Sequence, residues 1–139
     1  MKVYLDTSVL LAWLLEGGNQ LQSLPPNSDL ASSRLLWVET ARVMDRAFRS
    51  GELSSEECVA VRESFDATAR GICRLRVNES VLRRAEASFP LSIRTLDGIH
   101  LATAVIWLGS EDPSEMEIWT LDRHFNLCAA AMGFRTPWR

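Results

Sequence analysis

Short β-type runs that stop at an acid or a hydroxyl, with a helical pattern starting at once behind them, constrain this chain more than any other feature. The first instance is Val3-Tyr4-Leu5, closed by Asp6-Thr7-Ser8 and followed by the apolar run 9–15. Within that run Val9, Leu10, Trp13 and Leu14 are spaced to fill one face of a helix. The pattern then repeats. Residues 30–33 read as a short second strand, 72–77 as a half-exposed strand near a sheet edge, and 117–121 as a strand terminated by Asp122. Residues 134–136 read as a short closing strand. Between them lie a clear helix over 35–48 and a helix opened by the capping box Ser54/Glu57 that ends near Gly71. A short amphipathic helix capped by Asn78 comes next, then a nearly all-apolar helix through 101–108 whose first turn carries Asp97, then an Ala-rich helix ending at Gly133. Residues 19–24 read as one further short helical piece. Strands alternating with helices imply an α/β fold with a mostly parallel sheet covered on both faces.

Composition narrows the class. At 139 residues the chain reads as a single domain, 1–139, large enough to bury a core without staples. Its apolar runs 9–15 and 101–108 fall well short of the roughly 18 residues that span a bilayer. Asp6 interrupts the stretch where the apolar region of a secretory signal would run. Cys58, Cys73 and Cys128 are odd in number and widely spaced among apolar neighbours, so they read as small core residues in a reducing compartment. The expectation is a cytoplasmic protein with no membrane association. A net charge of −3 gives no global field that would draw in nucleic acid. Lys2 is the only lysine; every other basic residue is an arginine, whose planar fork suits phosphate and carboxylate.

Asp6, Glu39, Asp97 and Asp122 stand out by position. In a parallel sheet the strand ends share one edge, so Asp6 and Asp122 can converge there, and that edge is where α/β sheets bind ligands. Asp97 opens a buried helix. Glu39 projects from the apolar face of the 35–48 helix, four residues after Leu35 and four before Val43. Each has an ordinary reading too. Asp6 or Thr7 can simply cap the first helix, and Glu39 can form a buried salt bridge to Arg42 or Arg46. If all four acids meet, they repel and cannot all ionise unaided. Mg²⁺ or Mn²⁺, which prefer oxygen ligands and share their shell with substrate phosphates, would relieve that repulsion. Thr120 and Ser8, adjacent in sequence to two of the acids, are suited to orient a ligand or a water behind them.

These motifs resemble a known family. Val-Tyr-Leu-Asp-Thr-Ser at the start, Val-Glu-Thr-Ala around Glu39, Leu-Asp-Gly-Ile-His-Leu-Ala-Thr-Ala around Asp97 and Trp-Thr-Leu-Asp-Arg-His-Phe around Asp122 look like those of PIN-domain ribonucleases. Within that family they are most similar to the VapC toxins of bacterial toxin–antitoxin pairs. The likeness runs from Val3 to about Gly133, in the family's order; residues 19–34 match no motif. It implies a three-layer α/β/α sandwich and a PIN-like nuclease domain. It implies Mg²⁺- or Mn²⁺-dependent endonucleolytic cleavage of RNA with Asp6, Glu39, Asp97 and Asp122 as metal ligands and catalytic residues, supported by Thr120 and Ser8. It further implies homodimerisation and inhibition by a small cognate antitoxin.

Setting the four acids aside takes the net charge from −3 to +1, so the rest of the surface would be about neutral, with arginines free to contact an RNA backbone. Arg42, Arg46, Arg94 and Arg123 are the candidates for contact with an RNA backbone. His100, inside the apolar helix, reads as a hydrogen-bonded core residue, and His124 as a first-turn residue at the site rim; neither is assigned to catalysis. The tryptophans read mostly as core, with Trp13 and Trp37 the alternatives for lining a groove for a partner helix. A haloacid-dehalogenase-like phosphatase would need a second aspartate where Ser8 stands. A phospho-receiver would need an acidic pair after the first strand and a late lysine, and no glycine-rich phosphate loop occurs. The remaining alternative is a catalytically silent PIN-like module that binds RNA or a partner.

Overall fold

The computed structural model describes every residue from Met1 to Arg139. Strands β1 (Lys2–Leu5), β2 (Asp29–Ser33), β3 (Cys73–Leu75) and β4 (Met116–Trp119) form one sheet in the order β3-β2-β1-β4, every pairing parallel. Helices α1 (Thr7–Leu15), α2 (Leu35–Arg49), α3 (Ser55–Ala69), α4 (Glu79–Glu86), α5 (Thr95–Leu108) and α6 (Arg123–Ala131) cover it.

The alternation of side chains along β1 sorts these helices into layers. Tyr4 points to one face, where Met116 and Ile118 of β4 join Leu101, Leu108, Phe125 and Cys128 from α5 and α6. Val3 and Leu5 point to the other face, against Val9 and Leu10 of α1, Leu36 and Met44 of α2 and Phe65 of α3. Val3, Tyr4, Leu5, Leu10, Leu36, Leu101 and Ile118 are each fully buried. At about 1.5–3 kcal/mol for each large apolar side chain removed from water, this two-sided core stabilises the sheet without disulfides. The result is the expected three-layer α/β/α sandwich.

The differences from the sequence-based expectation lie at strand ends. β3 is shorter than the expected 72–77 run. It sits at the sheet edge, where only β2 pairs with it, and after Leu75 accepts from the Arg34 amide (2.8 Å) the chain turns away towards the Asn78 cap of α4. Cys73 is consequently exposed; Cys58, in α3, is half-buried, and Cys128 alone is a core cysteine. Residues 134–136 contribute one bridge, Glu117 with Arg135, instead of a strand. Residues 20–23 form a 3₁₀ turn. The expected capping box is present, Ser54 and Glu57 exchanging two bonds of 3.1 Å. Trp13 and Trp37 pack half-buried against the α1–α3 core, and Arg74 stacks over the Trp37 ring at 5.0 Å. No helix is long and apolar enough to cross a membrane.

The register of β1 against β4 decides where the first acid emerges. Leu5 pairs with Trp119, and the Asp6 amide donates to the Trp119 carbonyl at 2.8 Å. Asp6 and Thr120 therefore leave the sheet side by side at its carboxyl edge.

Candidate functional site

Asp6 occupies the N-cap position of α1 with an extended backbone, yet its side chain makes no capping bond. Oδ2 accepts instead from Ser8 Oγ (2.6 Å) and Thr120 Oγ1 (2.8 Å). Each hydroxyl is itself oriented by a backbone amide: Leu121 N–H donates to Ser8 Oγ (3.0 Å) and Asp122 N–H to Thr120 Oγ1 (3.1 Å). An amide filling one side of a hydroxyl leaves its proton to point at the carboxylate. Asp6 is 5% exposed, and its Oδ1 has no hydrogen-bond partner in the chain, the nearest cationic candidate being His100 Nε2 at 3.8 Å. A carboxylate serving as a cap would have turned back to its own helix. This one is held by the Ser8 hydroxyl in the first turn of α1 and by Thr120, the residue that follows β4.

Glu39 lies one turn into α2, on the side that faces α1 and α5. Its Oε1 accepts from Thr7 Oγ1 (2.8 Å) and lies 2.6 Å from His100 Nε2. The alternative of a salt bridge to Arg42 or Arg46 does not hold. Arg42 faces solvent and reaches Asp45 at 3.5 Å, and Arg46 makes no ion pair. Both arginines lie on the wet side of α2, whereas Glu39 borders the buried stripe Leu36, Thr40, Met44 and Ala47. Burial alone would raise the Glu39 carboxyl; the His100 hydrogen bond and charge, with the Thr7 bond, outweigh it and hold the group below the usual carboxylate range. His100 shows the reciprocal effect. Burial disfavours its charged form, but the Glu39 bond and the charges of Asp6, Glu39 and Asp97 raise it above the ordinary histidine value.

Asp97 and Asp122 form a second, more open pair. Arg94 spans them, with Nε 3.2 Å from Asp97 Oδ2 and Nη2 3.1 Å from Asp122 Oδ2. Asp122 also caps α6, accepting the Phe125 amide on Oδ1 at 2.8 Å, so here the capping and site positions coincide. The Asp97 carboxyl is raised by burial and then by the charge of Asp6; Arg94 pulls it down and Asp122 adds to the rise. These two aspartates, Arg94, Ser92, Ile93 and His124 line an open cleft of about 430 Å³. His124 is thus at the rim, as its first-turn position implied. Arg46 and Arg123 are exposed without an ion pair, whereas Arg94 is committed to two acids.

Side-chain contacts therefore join the acids as two pairs, each with a basic side chain between: His100 between Asp6 and Glu39, Arg94 between Asp97 and Asp122. No group of three histidine, cysteine or acidic side chains is arranged to hold a metal ion by itself. The chemistry of the donor set still suits a hard cation: carboxylate oxygens, no cysteine, Asp6 Oδ1 free of hydrogen bonds, and an aspartate whose ionisation is opposed by its acidic neighbours.

No family model matches this sequence, and no characterised protein matches it at the level of sequence. Among solved structures, a chain in a toxin–antitoxin complex from Klebsiella pneumoniae has a similar fold, with a TM-score of 0.53 and 21% identity over 86% of each chain. At that identity the likeness carries the architecture.

Proposed function

We propose that this chain is a Mg²⁺- or Mn²⁺-dependent endoribonuclease and the toxin member of a toxin–antitoxin pair, with the carboxyl edge of its sheet as the active site. The observation that carries the reading is Asp6, a helix-opening aspartate whose carboxylate is withheld from capping and lies near enough to Asp97 for its charge to raise that carboxyl. The structural neighbour is described as a toxin–antitoxin complex, which supports both the toxin assignment and an antitoxin protein as partner. The four motifs in order along the chain support the nuclease chemistry.

Asp6, Glu39, Asp97 and Asp122 are the residues that would hold the cation. When bound, the cation supplies Lewis acidity towards water and phosphate oxygens, the general basis of metal-assisted phosphodiester cleavage. Ser8 and Thr120 keep Asp6 in one orientation, so its free oxygen need not reorganise as charge develops. Arg94 is the cation that spans Asp97 and Asp122; once released from them, its planar fork is placed to meet a phosphate. Arg42, Arg46 and Arg123 lie further out, as exposed contacts for the RNA backbone.

The test is cleavage of a pool of single-stranded and structured RNA by wild type and Asp97→Ala, in Mn²⁺ and in EDTA. Cutting that needs the metal and is lost in the variant is the expected result. Cutting that persists in chelator, or in the variant at the wild-type rate, contradicts the reading. A chain that binds RNA or an antitoxin yet cuts nothing in the pool would instead be the silent binding module.

A further inference from the structure

We infer that His100 is the positioning residue that decides which oxygen of Glu39 faces the acidic cleft, with Tyr4 fixing the orientation of His100. This role rests on the metal-dependent reading of the site. His100 is fully buried in α5, among Tyr4, Phe125 and the inner acids, and touches no part of the open cleft. Its two ring nitrogens face two different partners.

The chain of donors runs in one direction. The Ser33 amide donates to Tyr4 Oη at 3.1 Å, which leaves the phenol proton to point elsewhere. Tyr4 Oη lies 2.8 Å from His100 Nδ1, so the phenol can donate there and Nδ1 accepts. Nε2 then carries the ring proton and donates to Glu39 Oε1 at 2.6 Å. The imidazolium form would donate to Oε1 in the same way, so the role does not depend on the charge of His100. Thr7 Oγ1 donates to that same oxygen at 2.8 Å. Two donors on Oε1 leave Oε2 with no hydrogen bond from the chain, on a side chain that is 26% exposed. A glutamate has one more rotatable bond than an aspartate and would otherwise present either oxygen; two convergent donors remove that freedom. Tyr4, His100 and Glu39 come from β1, α5 and α2, so the carboxylate is fixed from the strand that leads into Asp6 and the helix that carries Asp97.

The discriminating pair of variants is His100→Asn and His100→Gln. Both keep a polar group in the buried site. The asparagine amide stands near the Nδ1 position and still meets Tyr4 but falls short of Glu39; the glutamine amide stands near Nε2 and still donates to it. Mn²⁺ affinity of the purified chain is read by titration calorimetry, with circular dichroism to confirm folding. His100→Asn should weaken Mn²⁺ binding roughly 10- to 100-fold, the usual cost of losing the partner of a metal ligand, and His100→Gln should restore most of it. In a Glu39→Gln background His100→Asn should cost nothing more, because the ligand it positions is already gone. Wild-type affinity in a folded His100→Asn protein, or the same loss with and without Glu39, overturns the positioning role while leaving the metal site standing. Absence of Mn²⁺ binding by the wild type overturns the metal reading itself, and this role with it.

Discussion

The two acid pairs are built in contrasting ways. Asp6 and Glu39 are held by short bonds from Ser8, Thr120, Thr7 and His100, side chains that are buried or half-buried and belong to the sheet edge or to the helices packed on it. Asp97 and Asp122 are held by Arg94, whose side chain is 78% exposed. A buried bond whose donor has nowhere else to go is a fixture. An exposed arginine bridge contributes little and exchanges readily with solvent or with a competing cation. The inner pair is therefore preorganised, and the outer pair is where the site opens.

The largest break in this contrast comes from its inner side. Asp6→Asn keeps the shape and removes the charge; RNA cleavage should fall at least ~10²-fold, the scale of losing one preorganised electrostatic group, with the fold retained by circular dichroism. Wild-type turnover in that variant would remove Asp6 from the chemistry. Thr120→Val comes next. It strips a donor from Asp6 and an acceptor from the Asp122 amide in a fully buried position. About 1–3 kcal/mol of stability should be lost in chemical denaturation, with cleavage reduced tenfold or more.

On the outer side the effects should be smaller and of the opposite sign for the metal. Arg94→Ala removes a competitor from Asp97 and Asp122, so Mn²⁺ should bind a few-fold more tightly in calorimetry even as RNA cleavage slows. Weaker Mn²⁺ binding in that variant would show that Arg94 supports the acids instead of substituting for a cation. The smallest effect is one of pH. The Asp97 carboxyl is raised in the folded chain, so the penalty of its charge is present in full above the folded value and is relieved as pH falls through it towards the unfolded value. Asp97→Asn should therefore raise the melting temperature of the metal-free protein slightly near neutral pH, the gain fading on mild acidification. Mn²⁺ affinity of the wild type should weaken over the same acidic interval, because the proton competes for Asp97.

Much of this architecture is visible in residue order. The β1 pattern ending at Asp6, the Ser54/Glu57 capping box and the apolar helix behind Asp97 each carry a local physical signal, and each element is present. What pattern could not supply was pairing across the chain. Arg42 and Arg46 look like partners for Glu39 because they come after it in one helix, but its partner is His100, far away in sequence and brought near by the packing of α5 on the sheet. One signal was available: His100 stands one turn after Asp97, on the same side of its helix as the motif's acid. Tyr4 gave no hint, since a tyrosine in a strand reads as core, and here it is both core and hydrogen-bond relay. Asp6 and Asp122 begin helices with the same kind of sequence, yet only Asp122 caps its helix through the side chain. The difference comes from Ser8 and Thr120, whose convergence on Asp6 requires β1 and β4 to be neighbours. Cys73 failed as a core residue for the converse reason, because an edge strand with one neighbour leaves its outer side wet.

The most direct test of the central claim is anomalous scattering from crystals of the wild-type chain grown with Mn²⁺. A peak within coordinating distance of Asp6, Asp97 and Asp122, with Arg94 withdrawn from the two outer acids, is the predicted result. Crystals in which Arg94 still spans Asp97 and Asp122 and no peak lies at the sheet edge would contradict it.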